Sequence, residues 1–305
     1  NKSISTKKRL INFFSILYYY SSVTFNCFIL FLSTASMVKW TFVKWIFCPF
    51  LGKLPKISNI NPANVSASPL LISNISSSST QKGESLADTV KIMSIYSDIL
   101  VLRHTLDGSS RFASEISEKP VINAGSGTEE HPTQAIQDLF TIKKEKKKID
   151  GLKIGIVGDL KYGRTVYSLL YGLGNYDVDV RLISPESLRI RSDSTYEIKK
   201  NLDFTESTQL EDHIDELDVL YVTRIQKERF PDEEEYLKLK GSYVVGLDIV
   251  KQMKDDSVIL HPLPRIDEIS TEVDKTKNAK YFQQAEYGKH TRAALLGLIL
   301  NENGF

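Results

Sequence analysis

From residue 86 onward, short β-rich apolar runs alternate with stretches whose apolar residues recur at helical spacing, and this alternation constrains the fold most. Leu86, Val90 and Met93 share one helical face after Gly83. The β-rich runs lie at 99–102, 121–123, 154–157, 178–183, 219–222, 243–247 and 258–260. Between them, Ile136, Leu139 and Phe140 mark one helix, and Val166, Leu169, Leu170 and Leu173 mark another. Strands this apolar must be covered on both faces, which is what crossover helices do in a parallel sheet. The sequence therefore predicts an α/β protein of two domains, each a parallel sheet flanked by helices. The lysine-rich stretch 143–148 suits a solvated helix end at the hinge between them.

The chain ahead of this pattern is atypical and hydrophobic. Leu10 to Val38 contains no charged residue, about 29 positions where roughly 20 span a bilayer. Lys2, Lys7, Lys8 and Arg9 precede this run, and Asn12, Asn26 and Tyr18 to Tyr20 interrupt it. Three readings compete: a signal anchor with positive charge on its N-terminal side, a buried hydrophobic segment, or text that is not native coding sequence, such as a misjoined exon. The start at Asn1 suits a fragment. Residues 53–80 are rich in Ser, Asn and Pro and read as linker.

Several functions fall away on residue content. Lys plus Arg number 39 against 38 Asp plus Glu, so no basic field calls for nucleic acid. Cys27 and Cys48 form no disulfide framework, and the five histidines are scattered with no zinc-binding spacing. The turn holding Gly155, Gly158 and Gly163 has the wrong spacing for a dinucleotide fingerprint, and no Walker lysine or GxSxG elbow occurs.

What remains is a set of polar residues at the carboxyl ends of the predicted strands, where open α/β sheets bind ligands. Arg103 and His104 end one strand; His131-Pro132-Thr133-Gln134 opens a helix; Arg164 opens the next. Thr223-Arg224-Ile225-Gln226 and His261-Pro262-Leu263-Pro264-Arg265 follow two later strands. Three arginines so placed suit a ligand with several oxyanion groups, because guanidinium binds carboxylate and phosphate bidentately. Helix N-termini after His131 and Arg164 add N–H donors. Singly, each has a plainer explanation: a surface ion pair for an arginine, a helix-start proline for Pro132, a rigid turn at His261. The set carries the argument.

That set, in this order and spacing, resembles the catalytic chains of the aspartate carbamoyltransferases. The resemblance runs through residues 78–89, 101–104, 123–125, 131–140, 158–165, 221–229 and 260–265, and on through 281–285 and 292–295. It implies transfer of the carbamoyl group from carbamoyl phosphate to L-aspartate, giving N-carbamoyl-L-aspartate and phosphate, a step of pyrimidine synthesis, without metal or cofactor. Arg103, His131 and Gln134 are implied to hold carbamoyl phosphate, Arg103 on the phosphate and His131 on the carbamoyl oxygen. Arg164, Arg224 and Gln226 are implied for the aspartate carboxylates, and the carbonyls of Leu263 and Pro264 for the carbamoyl amide. Ser78 and Lys82 match residues reaching into a neighbouring subunit's site, with Lys82 among the catalytic set, so a cytoplasmic homotrimer is implied.

The implied organisation is residues 1–75 atypical, 76–149 binding carbamoyl phosphate, 150–290 binding aspartate, and 291–305 a helix packing back on the first domain. The sister ornithine enzymes have a cysteine in the corresponding His-Pro motif and a Ser-Met-Gly loop, both lacking here. The family's phosphate-cradling Ser-Thr-Arg-Thr-Arg loop has its nearest counterpart in Ser5-Thr6-Lys7-Lys8-Arg9, without the central Arg or second Thr, so the first domain reads as incomplete at its N-terminus. A second reading therefore stays open: a catalytically impaired relative acting as a binding or scaffold subunit, membrane-associated through residues 10–38. A regulatory chain as a further partner is left open by the sequence.

Overall fold

A computed structural model describes residues 83–225, 233–239 and 241–302. The atypical segment 1–75, with its uncharged run at 10–38 and the basic residues 5–9, lies outside the described residues, as do Ser78, Lys82 and Gln226.

Two compact units share the described chain, one holding residues 128–289, the other 83–127 together with 290–302. In the smaller unit, β1 (Leu100–His104) pairs parallel with β2 (Val121–Ser126), with Leu100 opposite Val121 and Leu102 opposite Asn123. Helices α1 (Leu86–Tyr96) and α2 (Ser109–Ile116) pack with this pair. α1 begins where Ser85 accepts a hydrogen bond from the Asp88 N–H, satisfying a donor the helix itself cannot. Val90, Leu100, Leu102 and Ala113 form its core.

The larger unit opens with α3 (Pro132–Lys146) and continues as β3 (Lys153–Val157), α4 (Arg164–Leu173), β4 (Asp179–Ile183), α5 (Ser192–Lys199), β5 (Phe204–Ser207) and β6 (Val219–Val222). After these come α6 (Glu233–Leu239), α7 (Leu247–Gln252), β7 (Val258–Leu260) and α8 (Tyr281–Glu302), whose residues from His290 on belong to the smaller unit. The five strands form one parallel sheet in the order β5-β4-β3-β6-β7. Alternation along each strand sends neighbours to opposite faces. Ile154, Ile156, Val219, Tyr221, Val258 and Leu260 join α3 and α4 in one core. Val157, Leu220, Val222 and Ile259 join Ile249, Val273 and Tyr281 in the other. The fold is thus α/β in both units, with the larger sheet buried on both faces as its apolar strands require.

Two details depart from the sequence expectation. Residues 243–247 are not a strand: Val245 makes an isolated bridge to Ile269, and Gly246 then caps α7. β5 was unforeseen, because Phe204-Thr-Glu-Ser is a short edge strand with its two middle residues exposed, so no apolar run announces it.

Candidate functional site

In the larger unit, the predicted residues gather at the carboxyl ends of three adjacent strands, β3, β6 and β7. After β3 the chain turns through Gly158 at φ +118°, where a Cβ would lie 2.2 Å from the Thr223 carbonyl oxygen. Only glycine allows that approach. Thr223 in turn donates its N–H to the Val157 carbonyl at 2.8 Å, so the ends of β3 and β6 are clamped together. Asp159, fully buried, accepts from the N–H groups of Lys161 (3.1 Å) and Tyr162 (2.9 Å), an Asx-type turn that delivers Arg164 to the first position of α4. Arg224 follows β6 by two residues. Both arginines are half-buried, set beside the ends of neighbouring strands.

His131 caps α3, with Pro132 at the first helical position, where its missing N–H costs nothing. The His131 N–H donates to Ser168 Oγ at 2.8 Å, tying the start of α3 to α4. One turn along, Gln134 is buried and its Nε2 donates to Asp138 Oδ1 at 2.7 Å.

After β7 comes a strap, 261–268, held along its length. The Leu263 N–H donates to His261 Nδ1 at 2.8 Å, so the ring proton sits on Nε2 and is donated to Glu268 Oε1 at 2.7 Å. Burial pushes the Glu268 carboxyl up, but the hydrogen bonds from His261 and from backbone N–H groups outweigh it and hold it below the usual range. Arg265 forks onto Asp274, with 2.6 Å between Nη2 and Oδ2, and reaches the Tyr281 hydroxyl at 3.0 Å. Burial and the Asp274 charge push Tyr281 up to about 12. Between these anchors Leu263 stands at φ +55° before a cis bond to Pro264. A bulky residue in that region costs energy and persists where its surroundings enforce it. Here they fix the direction of the Leu263 and Pro264 carbonyls, the groups for which the family resemblance implied an acceptor role.

In the smaller unit, Arg103 lies in β1 and its Nη1 donates to the Ala124 carbonyl at 3.4 Å. Burial lowers its pKa, yet a guanidinium remains charged. A partly desolvated cation of this kind gains strongly from an anion. The larger unit thus sets Arg164, Arg224, Leu263 and Pro264 after three adjacent strands, with His131 and Gln134 at the start of α3, which is tied to α4 at Ser168, whereas Arg103 belongs to the other unit.

Sequence reasoning passed over the groups that hold these residues. Asp138 and Gln284 stand in quoted motifs but received no role; the signal for Asp138 was its position four residues after Gln134, on the same helical face. The His261–Glu268 pair carries no local pattern at all. Among the described residues no cluster of His, Cys, Asp and Glu could hold a metal ion, and no helix is long and apolar enough to cross a membrane.

Comparison with known proteins adds to this geometry. Residues 62–144 match the family model for the aspartate/ornithine carbamoyltransferase carbamoyl-P binding domain, and residues 150–299 match that for the Asp/Orn binding domain. The aspartate carbamoyltransferase catalytic subunit of Nitrosopumilus maritimus is 86% identical over 243 residues, covering 80% of this chain and 79% of that protein. The Thermococcus kodakarensis subunit of the same name is 56% identical, over 76% of this chain and 75% of its own. Among solved structures, the catalytic subunit of M. jannaschii aspartate transcarbamoylase superposes with a TM-score of 0.68 at 51% identity, covering 75% of each chain. The Trypanosoma cruzi aspartate transcarbamoylase in complex with N-(phosphonacetyl)-L-aspartic acid gives a TM-score of 0.70 at 36% identity, over 74% of this chain and 73% of its own.

Proposed function

The chain belongs to the aspartate/ornithine carbamoyltransferase family, and we propose on that premise that its function is carbamoyl transfer from carbamoyl phosphate to L-aspartate, in pyrimidine synthesis. The observation that carries the reading is the set of Arg164, Arg224 and the Leu263–Pro264 strap on the ends of three adjacent strands, in a chain so similar to aspartate carbamoyltransferase subunits.

In this reaction the aspartate amine attacks the carbamoyl carbon. A C–N bond forms, the bond from the carbamoyl carbon to the bridging oxygen breaks with its electron pair left on that oxygen, and the departing phosphate takes up the proton the amine gives up. Arg103 serves the phosphate oxygens. His131 donates to the carbamoyl oxygen, where negative charge grows as the amine adds, and a positioned donor there stabilises the transition state more than the ground state. The Leu263 and Pro264 carbonyls accept from the carbamoyl NH2, with Gln134 beside them. Arg164, Arg224 and Gln226 take the two aspartate carboxylates. Bringing a dicarboxylate to a phosphate sets like charges together, and the arginines offset that repulsion. Positioning and charge compensation supply the rate.

Two domains divide the work in this reading, 76–149 for carbamoyl phosphate and 150–290 for aspartate, with 291–305 returning to the first. Ser78 and Lys82 act in the site of a neighbouring subunit, which makes the assembly a homotrimer, and the protein works in the cytoplasm.

Arg164→Ala and Arg224→Ala test the aspartate half. Each removes a charge-assisted contact of about 1.5–3 kcal/mol, so each raises the KM for aspartate ten- to a hundredfold while that for carbamoyl phosphate moves little. Equal loss for both substrates, or none, contradicts the assignment.

A further inference from the structure

Asp138 has no exposed surface, and it receives three side-chain hydrogen bonds. Its Oδ1 accepts from Gln134 Nε2 at 2.7 Å and from Gln284 Nε2 at 2.6 Å, and its Oδ2 from the Tyr221 hydroxyl at 2.9 Å. Gln284 passes the connection on, since its Oε1 accepts from the His261 N–H at 2.8 Å. One carboxylate therefore holds Gln134 on α3, the end of β6 three residues before Arg224, and, through Gln284, the head of the strap that carries Leu263 and Pro264.

The chemistry of these bonds decides which way each amide faces. An ionised carboxylate only accepts, so each glutamine must present its NH2 to it. For Gln284 the remaining bond agrees: its carbonyl end takes the His261 N–H. For Gln134 the same logic turns Oε1, an acceptor, into the end available to a ligand. The Tyr221 phenol stays a donor, because burial and the Asp138 charge push its pKa well above the ordinary value.

We propose that Asp138 is a positioning residue for carbamoyl phosphate: by anchoring the Gln134 NH2 it fixes Gln134 Oε1 as an acceptor for the carbamoyl NH2, and through Gln284 it sets the strap whose carbonyls accept from the same group. This rests on the carbamoyl-transfer reading above. An unanchored glutamine amide rotates between donor and acceptor faces of nearly equal shape. The buried charge removes that ambiguity, and it aligns acceptors from two elements on one NH2. Its cost of burial is offset by three donors, one of them a phenol.

Asp138→Asn keeps the shape but lets the anchor donate as well as accept, so Gln134 is no longer held in one orientation. The test is titration of the full-length protein and the variant with two ligands, carbamoyl phosphate and N-(phosphonacetyl)-L-aspartate. The second joins a phosphonate to aspartate through an acetyl unit and carries no carbamoyl NH2. The variant is expected to bind carbamoyl phosphate about ten- to a hundredfold more weakly, the range for a misdirected charge-assisted contact, while its affinity for the phosphonacetyl compound changes less than about threefold. Equal weakening of both ligands makes Asp138 a structural residue only and overturns the proposal. Failure of the unsubstituted protein to bind carbamoyl phosphate overturns the carbamoyl-transfer reading and this inference together. Tyr221→Phe keeps the carboxylate and loses only the bond on Oδ2, so it serves if D138N does not fold. A selective loss of about threefold for carbamoyl phosphate is expected there, and equal loss for the two ligands again overturns the role.

Discussion

At the scale of single residues, the strap after β7 shows how a few buried polar bonds hold a backbone where it would not rest alone. His261, neutral with its proton on Nε2, spans the Leu263 N–H and Glu268, whose carboxylate also accepts from the N–H groups of Ile266 and Asp267, each at 3.1 Å. The Glu268 carboxyl titrates lower in the folded protein than in the unfolded chain, where its value is the ordinary one near 4.5. The unfolded chain therefore takes up the proton first, and the stability Glu268 contributes is full above that value and drains away as pH falls through the lower, folded one. Glu268→Gln is expected to cost about 1–2 kcal/mol at pH 7, with the gap to the unsubstituted protein closing as pH falls toward 3. Denaturant unfolding across that range checks it; a gap independent of pH removes the charge from the account. At this scale the sequence was legible for residues in a strand-end pattern, such as Arg164 and Arg224, because position in an α/β fold implies exposure to ligand. It was silent on Glu268 and Gln284, whose partners are 7 and 23 residues away and meet only in the folded chain.

At the scale of elements, the site depends on how closely β3 and β6 end together. Gly158 permits the approach, and Thr223 closes it with its N–H and hydroxyl on the Val157 carbonyl. Gly158→Ala would place a methyl group against the Thr223 carbonyl on a backbone conformation alanine rarely adopts, and is expected to destabilise the protein by more than about 2 kcal/mol. Urea unfolding measures this, and a cost under about 0.5 kcal/mol contradicts the clamp. Six of the seven apolar runs in the sequence correspond to strands, because burial on both faces demands them. The seventh, 243–247, is apolar for a different reason: Val245 is buried under the sheet in the core with Ile249 and Ile269, without pairing along a strand. Residue pattern reports burial, and burial is shared by strands and by loops that cover them.

At the scale of the whole molecule, the larger unit is a sheet covered on both faces, and Arg164, Arg224 and the strap follow the carboxyl ends of its adjacent strands β3, β6 and β7. The smaller unit contributes a two-stranded sheet and Arg103. Its parallel pairing was legible from two β-rich runs. The nearest sequence match to the family's phosphate loop, residues 5–9, lies outside the described residues, so the chemistry of the chain is the decisive matter. The most direct measurement incubates the full-length protein with carbamoyl phosphate and L-aspartate and follows both products. Formation of N-carbamoyl-L-aspartate and phosphate in equal amounts, with no product when L-ornithine replaces aspartate, is the predicted result. A folded protein that forms no carbamoyl-aspartate, or that releases phosphate without it, contradicts the account.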